Sequence, residues 1–265
     1  MTITGQTVCY PLIGHPVGQV RTPPVINEWF IESGIDATMF AMDVPPADME
    51  GFFALLKQWQ NCGGCSVTVP HKQITFRSMN DLTPRAKRVG SVNIVRREDD
   101  GKLIGDMTDG LAFVAALKKK GYRLSGAKVL LAGAGGGAGA AIADAICDEN
   151  IASLSLIEPN AGRLNRIQTL LHENYPNVQL HGEPDAAGEY DFAINASTLG
   201  MKNNDPSPFN LDLIRAGGVV ADVVTKPEIT PLLVEAHKRN LKIQTGNEMA
   251  DAQLEFQMSH LGLWH

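Results

Sequence analysis

The segment from Lys128 to Gly139 constrains this chain more than any other. Val129-Leu130-Leu131-Ala132 is a short uninterrupted apolar run. A strand of that kind is buried on both faces, as in a parallel sheet covered by helices on either side. Five glycines fall within the next seven residues, Gly133-Ala134-Gly135-Gly136-Gly137-Ala138-Gly139, and the Ala-rich stretch Ala138–Cys147 reads as a helix. Around this core the chain alternates. A helix over Gly110–Gly121 precedes the strand. After it come strand Ser153–Ile157, helix Arg163–Glu173, strands Val178–His181 and Tyr190–Asn195, helix Leu211–Ala216, strand Val219–Val223, helix Thr230–Arg239 and a closing strand Lys242–Gln244. The alternation predicts an α/β fold containing a Rossmann-type doubly wound parallel sheet.

Gly133, Gly135 and Ala138 fit the spacing G-x-G-x-x-G/A. In that motif the first glycine makes a tight turn, the second lets backbone approach a pyrophosphate, and the small third residue lets helix pack on strand. The free N–H groups of the helix start then face the anion. Gly133, Ala134, Gly135, Gly136, Gly137 and Ala138 are therefore candidate dinucleotide-binding residues. Glu158 lies 20 residues after Ala138, at the end of strand 153–157. A carboxylate there accepts both ribose hydroxyls of NAD and repels the 2′-phosphate of NADP. Arg163 is a counterweight, because a nearby guanidinium can hold that phosphate. The balance favours NAD, with NADP as the second option. A tight turn without a ligand is the plain alternative for the glycines.

The first half has a different texture. Strands are expected at Thr7–Gly14, Ala37–Met42, Cys65–Val69, Ser91–Val95 and Leu103–Asp106. Helices are expected at Pro24–Ser33 and Pro46–Gln58, and a last helix at Glu248–Leu261. At 265 residues, the chain is about 1.8 times a typical 150-residue domain, so two domains fit. Lys and Arg number 23 against 29 Asp and Glu, a formal charge of −6 with no basic run of note. Nucleic acid and an anionic membrane are poor partners for such a surface. The start carries no signal-peptide pattern and no window reaches 18 uninterrupted apolar residues, so a cytoplasmic protein is expected. Of the four cysteines, Cys62 and Cys65 form a CxxC without a second pair at zinc-site spacing. Two small residues in a glycine-rich turn is the simpler reading, and no metal is expected. The chain is compatible with a monomer or a homodimer.

Seven segments occur in a telling order. They are Ser66-Val67-Thr68-Val69-Pro70-His71-Lys72, Gly90-Ser91-Val92-Asn93, Gly105-Asp106-Met107-Thr108-Asp109-Gly110, the glycine loop, Asn195-Ala196-Ser197-Thr198-Leu199-Gly200-Met201, Thr230-Pro231-Leu232-Leu233, and a tail with Met249 and Gln253. Over essentially its whole length the chain resembles the shikimate dehydrogenase family. The resemblance implies a substrate domain over 1–109, a dinucleotide domain over 110–243, and a segment 244–265 whose helix returns to the first domain, with the active site in the cleft. It implies reversible hydride transfer between a ring secondary alcohol and nicotinamide C4, the substrate being a small cyclic hydroxy acid such as shikimate or quinate. By the same resemblance Lys72 and Asp109 match the catalytic pair. A general base must reach the hydroxyl proton as hydride leaves, and a carboxylate stabilises a charged lysine. A solvated surface lysine is the alternative for Lys72. Asn93, Gln253 and Thr68 match substrate-binding residues, against turn capping for Asn93 and surface polarity for Gln253. Asn195, Ala196, Ser197, Val223, Gly246 and Met249 match the nicotinamide end of the cofactor site.

The chain departs from the family pattern at the substrate loop. Where Ser-x-Ser-Pro is usual it has Val20-Arg21-Thr22-Pro23, so Thr22 keeps one hydroxyl and Val20 has none. Losing one bond to a charged acceptor costs about 1.5–3 kcal/mol. Thr225 stands where a tyrosine is expected, and Ser66 and Met107 where asparagines are. These changes fall on substrate contacts and spare Lys72 and Asp109, which implies retained chemistry on a shifted substrate. Arg21 is the candidate for a bidentate hold on an anionic group, against an arginine that points to solvent. A catalytically idle NAD-binding redox or ligand sensor is the reading from another class. It has no need of a positioned base.

Overall fold

The computed structural model describes residues 2–18, 20–202 and 204–264, so Gln19 of the substrate loop lies outside them. The chain forms two compact units. One comprises the chain up to Thr108 together with Leu254 onward, and the other runs from Asp109 to Gln253. The divisions fall at 108/109 and 253/254 rather than at 109/110 and 243/244.

The first unit is a mixed six-stranded sheet flanked by helices. In chain order its elements are β1 (Val8–Gly14), α1 (Thr22–Glu32), β2 (Ala37–Asp43), α2 (Met49–Gln58), β3 (Gly64–Val67), α3 (Lys72–Ser78), β4 (Asp81–Leu82), α4 (Pro84–Val89), β5 (Ile94–Arg97) and β6 (Leu103–Asp106). The sheet order is β2-β1-β3-β5-β6-β4. β1 pairs in parallel with β2 and β3, and β5 is antiparallel to β3 and β6. Tyr10, Leu12, Ile26, Phe30, Met39 and Ile94 form its core together with Met258 and Leu261 of the C-terminal segment. Trp264 stacks on Trp29 at 5.5 Å between ring centroids. Asn27 ties α1 to β2 by bonding both the N–H and the C=O of Met39, at 2.7 and 2.8 Å. Neither α3 nor α4 is anticipated from periodicity, because each is shorter than two full turns. α4 nonetheless carries plain stop and start signals. Thr83 caps it, Pro84 sits in its first turn, and Gly90 ends it at φ 72°.

The second unit is fully parallel and doubly wound. It contains α5 (Asp109–Lys119), β7 (Lys128–Ala132), α6 (Gly137–Asp148), β8 (Ser153–Ile157), α7 (Ala161–Asn174), β9 (Gln179–His181), β10 (Tyr190–Asn195), β11 (Ile214–Asp222), α8 (Pro231–Lys238) and β12 (Lys242–Gln244). The order β12-β11-β10-β7-β8-β9 places the switch point between β7 and β10, where ligands of such sheets bind. The helix expected at Leu211–Ala216 is absent. Leu211–Leu213 is one 3₁₀ turn, and β11 begins at Ile214. Leu211 and Ile214 have helical spacing, but Gly217 at φ 72° bulges the strand, and the register jumps from Tyr190↔Ile214 to Phe192↔Val219.

The last helix, α9 (Gly246–His260), contributes to both units. Its first turns stay with the second, through the ion pair of Lys120 with Glu248 at 2.7 Å and the bond from Gln253 to Asp109. Its apolar residues from Leu254 onward fill the first core. There His260 donates its Nε2–H to the Ile104 carbonyl at 2.9 Å and sets Nδ1 3.6 Å from the buried Asp106 carboxylate. Burial holds this imidazole below its ordinary value of 6.5, aided by Arg96 and Arg85 and opposed by the Ile104 carbonyl and Asp106. A histidine that is harder to protonate when folded contributes stability above the unfolded pKa and loses it as pH falls through that value. The Tm of the native protein should therefore drop more between about pH 7.5 and 5.5 than that of His260→Gln, whose amide still donates to Ile104. Equal drops would show that His260 titration does not bear on stability.

Candidate active site

In the first unit, the carboxyl ends of β1 and β3 gather most of the residues expected to meet a substrate. Thr68 N–H bonds the Ile13 carbonyl at 2.8 Å, and His15 N–H bonds the Val69 carbonyl at 3.1 Å. Lys72 opens α3 and is half-buried. Its carbonyl accepts from Val92 N–H at 2.9 Å, which brings the Gly90–Asn93 segment beside it. Asn93 is buried, and its amide is already engaged: Oδ1 accepts the Thr108 N–H at 2.9 Å and Nδ2 reaches the Thr108 hydroxyl at 3.0 Å. It fixes the chain just before Asp109. Thr22 and Arg21 lie at the start of α1, Thr22 half-buried and Arg21 exposed. Val20 packs its side chain against the apolar core.

The second unit holds the nucleotide-binding candidates. Gly133 follows β7 at φ 79°, and a Cβ on it would stand 2.7 Å from the Ser197 nitrogen. The turn after β7 thus lies directly against the turn after β10, across the switch point. Gly136 caps α6 without any side-chain bond, leaving the helix-start amides to a ligand. The residue that packs against the turn is Gly139 rather than Ala138, since a Cβ at 139 would overlap the Gly133 carbonyl oxygen. Glu158 is oriented by two backbone donors, Gly135 N–H to Oε2 at 2.9 Å and Asn160 N–H to Oε1 at 3.0 Å. Arg163 is exposed in the first turn of α7, which Asn160 caps.

Asn195 and Ser197 shape the neighbouring turn with their own side chains. Asn195 is fully buried, donates to the Leu199 carbonyl at 2.8 Å, and accepts from the Ser197 hydroxyl at 2.6 Å. Val223 N–H bonds the Asn195 carbonyl at 3.0 Å, and Gly246 abuts the carbonyls of Val223 and Val224. Met249 is buried one turn into α9. Asp109 and Gln253 are brought together, Nε2 donating to Oδ1 at 3.0 Å. Cys62 and Cys65 are buried thiols. Burial pushes Cys62 up to about 11 and Cys65 well above its ordinary value, so neither is a ready thiolate.

A family model described as the shikimate dehydrogenase substrate binding domain matches residues 12–95. A shikimate dehydrogenase (NADP(+)) of Rubrobacter xylanophilus is 36% identical over 240 residues, covering 89% of this chain and 84% of that protein. The chain belongs to the shikimate dehydrogenase family. Among solved structures, shikimate 5-dehydrogenase from Listeria monocytogenes in complex with shikimate and NAD is 26% identical. It has a TM-score of 0.87 over 100% of this chain and 93% of its own. The Thermus thermophilus enzyme in complex with NADP(H) and shikimate is 26% identical with a TM-score of 0.83, over 96% of this chain and 93% of its own.

Within this member of the shikimate dehydrogenase family, two buried carboxylates at strand ends organise their surroundings although the sequence alone assigns them no role. Asp106 accepts from Thr83, from Arg85 through Nε at 2.8 Å and also Nη2, and from Met107 N–H at 2.7 Å. Asp222 does the equivalent in the second unit. Asp222 has no sequence signal beyond an acid at the end of a strand, and Asp106 lies in the Gly105–Gly110 segment without a role of its own there. The contact at Gly139 yields a stability prediction. Alanine is the better helix former by about 1 kcal/mol, but overpacking costs about 1–3 kcal/mol. Gly139→Ala should lower the Tm, and a raised Tm would show that the turn yields freely.

Proposed function

We propose that this protein is a nicotinamide-dependent dehydrogenase acting reversibly on a ring secondary alcohol of a cyclic polyhydroxy acid, of the shikimate or quinate kind. The observation that carries the reading is the cradle at the switch point, where Gly133, Gly139 and the uncapped start of α6 leave room and donors for a pyrophosphate. Glu158 stands oriented beside the same loop. These residues fit a dinucleotide, which when bound supplies the hydride acceptor for alcohol oxidation. Relatives named shikimate dehydrogenase and a solved relative in complex with shikimate support the ring-acid substrate.

Lys72 takes the hydroxyl proton at Nζ, and Asp109 supplies the compensating negative charge while Gln253 orients its carboxylate. Thr68, Asn93 and Thr22 contribute hydroxyl and amide donors to the ring. Arg21 is assigned to the acid group. Pro23 and Pro24 remove two N–H donors from the start of α1, so an anion there depends on the Arg21 fork and the Thr22 hydroxyl. Lys72→Ala should lower kcat by about 10²–10⁴-fold while leaving the dinucleotide Kd unchanged by calorimetry. Full turnover in a folded Lys72→Ala protein overturns the assignment.

NAD is the proposed cofactor, although the named relatives lean to NADP. Both Glu158 oxygens are held by backbone amides and keep lone pairs for two ribose hydroxyls, whereas a 2′-phosphate would meet that carboxylate. NAD should bind at least about tenfold tighter than NADP, matching the roughly 1.5 kcal/mol of one hydrogen bond to a charged group. Glu158→Ser should narrow the gap. Tighter binding of NADP by the native protein would reverse the choice.

A further inference from the structure

We propose that Asp222 is a positioning residue for dinucleotide binding, holding in register the two chain segments that flank the cradle on its β10 and β11 side. The proposal rests on the dinucleotide reading above. Asp222 is the last residue of β11 and is 1% exposed. Its Oδ1 accepts from Asn195 Nδ2 and from Val224 N–H, both at 3.0 Å, and its Oδ2 accepts the Thr230 hydroxyl at 2.7 Å. One carboxylate thus joins the end of β10, the turn after β11 and the start of α8.

Each partner passes the constraint on. Asn195 shapes the turn in which Ala196 and Ser197 press against Gly133. Val224 and Val223 offer their carbonyls to the close contact with Gly246. Thr230 caps α8 through the Leu233 amide at 3.4 Å. The network therefore runs from the glycine turn to the start of α9 without a break, along the strand ends where such sheets bind ligands.

The energetics favour a geometric role over a merely cohesive one. Among the described residues, all three donors to Asp222 are neutral. Burial pushes its carboxyl above the usual range, and the bonds from Val224, Thr230 and Asn195 pull it back down. A buried charge held by neutral donors alone is a costly way to keep a core together, and apolar packing does that better. What the carboxylate does that an apolar group cannot is accept from three directions at once.

The test uses the full chain and its variants Thr230→Val, Thr230→Ser and Asp222→Asn, with NAD and NADP titrated by calorimetry and shikimate as the ring substrate. Thr230→Val and Asp222→Asn should raise the dinucleotide Kd by about five- to tenfold and leave the KM for shikimate within about twofold. Thr230→Ser, which keeps the hydroxyl, should restore the native Kd. Thr230→Val removes the bond to Asp222 and the cap on Leu233 but leaves the carboxylate with its Asn195 and Val224 partners, and it decides the matter if Asp222→Asn does not fold. Native-like dinucleotide Kd in folded variants, or an equal rise in the shikimate KM, overturns the proposal alone. A native protein that binds neither dinucleotide overturns the functional reading and this proposal with it.

Discussion

The second unit depends on a contact between backbones. The turn after β7 lies so near the turn after β10 that Gly133 has no room for a side chain, and α6 approaches the same turn closely enough that Gly139 has none either. Two side-chain-free positions bring a strand end, a helix start and a neighbouring turn together at the switch point of the sheet. The start of α6, which no side chain caps, stands at the same place. Glu158 completes the arrangement by bonding Gly135 N–H, so the residue proposed to select the ribose is fixed to the loop that would hold the phosphates. Geometry at one end of the dinucleotide is thereby tied to geometry at the middle.

The parallel sheet was legible because its strands are buried on both faces and read as apolar runs, as at Val129–Ala132 and Phe192–Ile194. Strand order then follows from alternation with helices. Legibility failed where the period was short or interrupted. Leu211 and Ile214 share helical spacing by accident of a single 3₁₀ turn followed by a strand, and the warning was Gly217. α3 and α4 carry too few turns for periodicity, although Thr83, Pro84 and Gly90 mark the ends of α4. In the motif itself, spacing assigned the packing role to Ala138, and the structure moved it one residue along to Gly139.

Site residues divide in the same way. Lys72, Asp109 and the glycine loop, proposed to act in the site, come from motifs whose members are close in sequence. The residues that hold those motifs in place do not. Asp222 finds Thr230 eight residues on and Asn195 27 residues back, and Asp106 reaches Arg85 across 21. No spacing rule connects such partners. They meet because strands of a sheet end at a common edge.

That common edge explains why each unit keeps a buried carboxylate. Asp106 ends β6 and Asp222 ends β11, and each stands just before a residue assigned to the site: Asp109 shortly after the first, Val223 directly after the second. A strand end must shed its ladder bonds and turn, leaving several backbone and side-chain donors unsatisfied in a desolvated place. A carboxylate, with about four acceptor sites on two oxygens, satisfies donors from separate segments at once. The two solutions differ in their partners. Asp106 is neutralised by Arg85, whereas Asp222 has neutral donors, and burial holds it above the usual carboxylate range although those donors pull it back. The paired charge suits a joint beside the His260–Ile104 bond that ties down the end of α9, where firmness is the requirement. The unpaired one suits the edge beside the cradle, where a second full charge, such as an arginine, would compete for the phosphates that the glycine loop is shaped to receive.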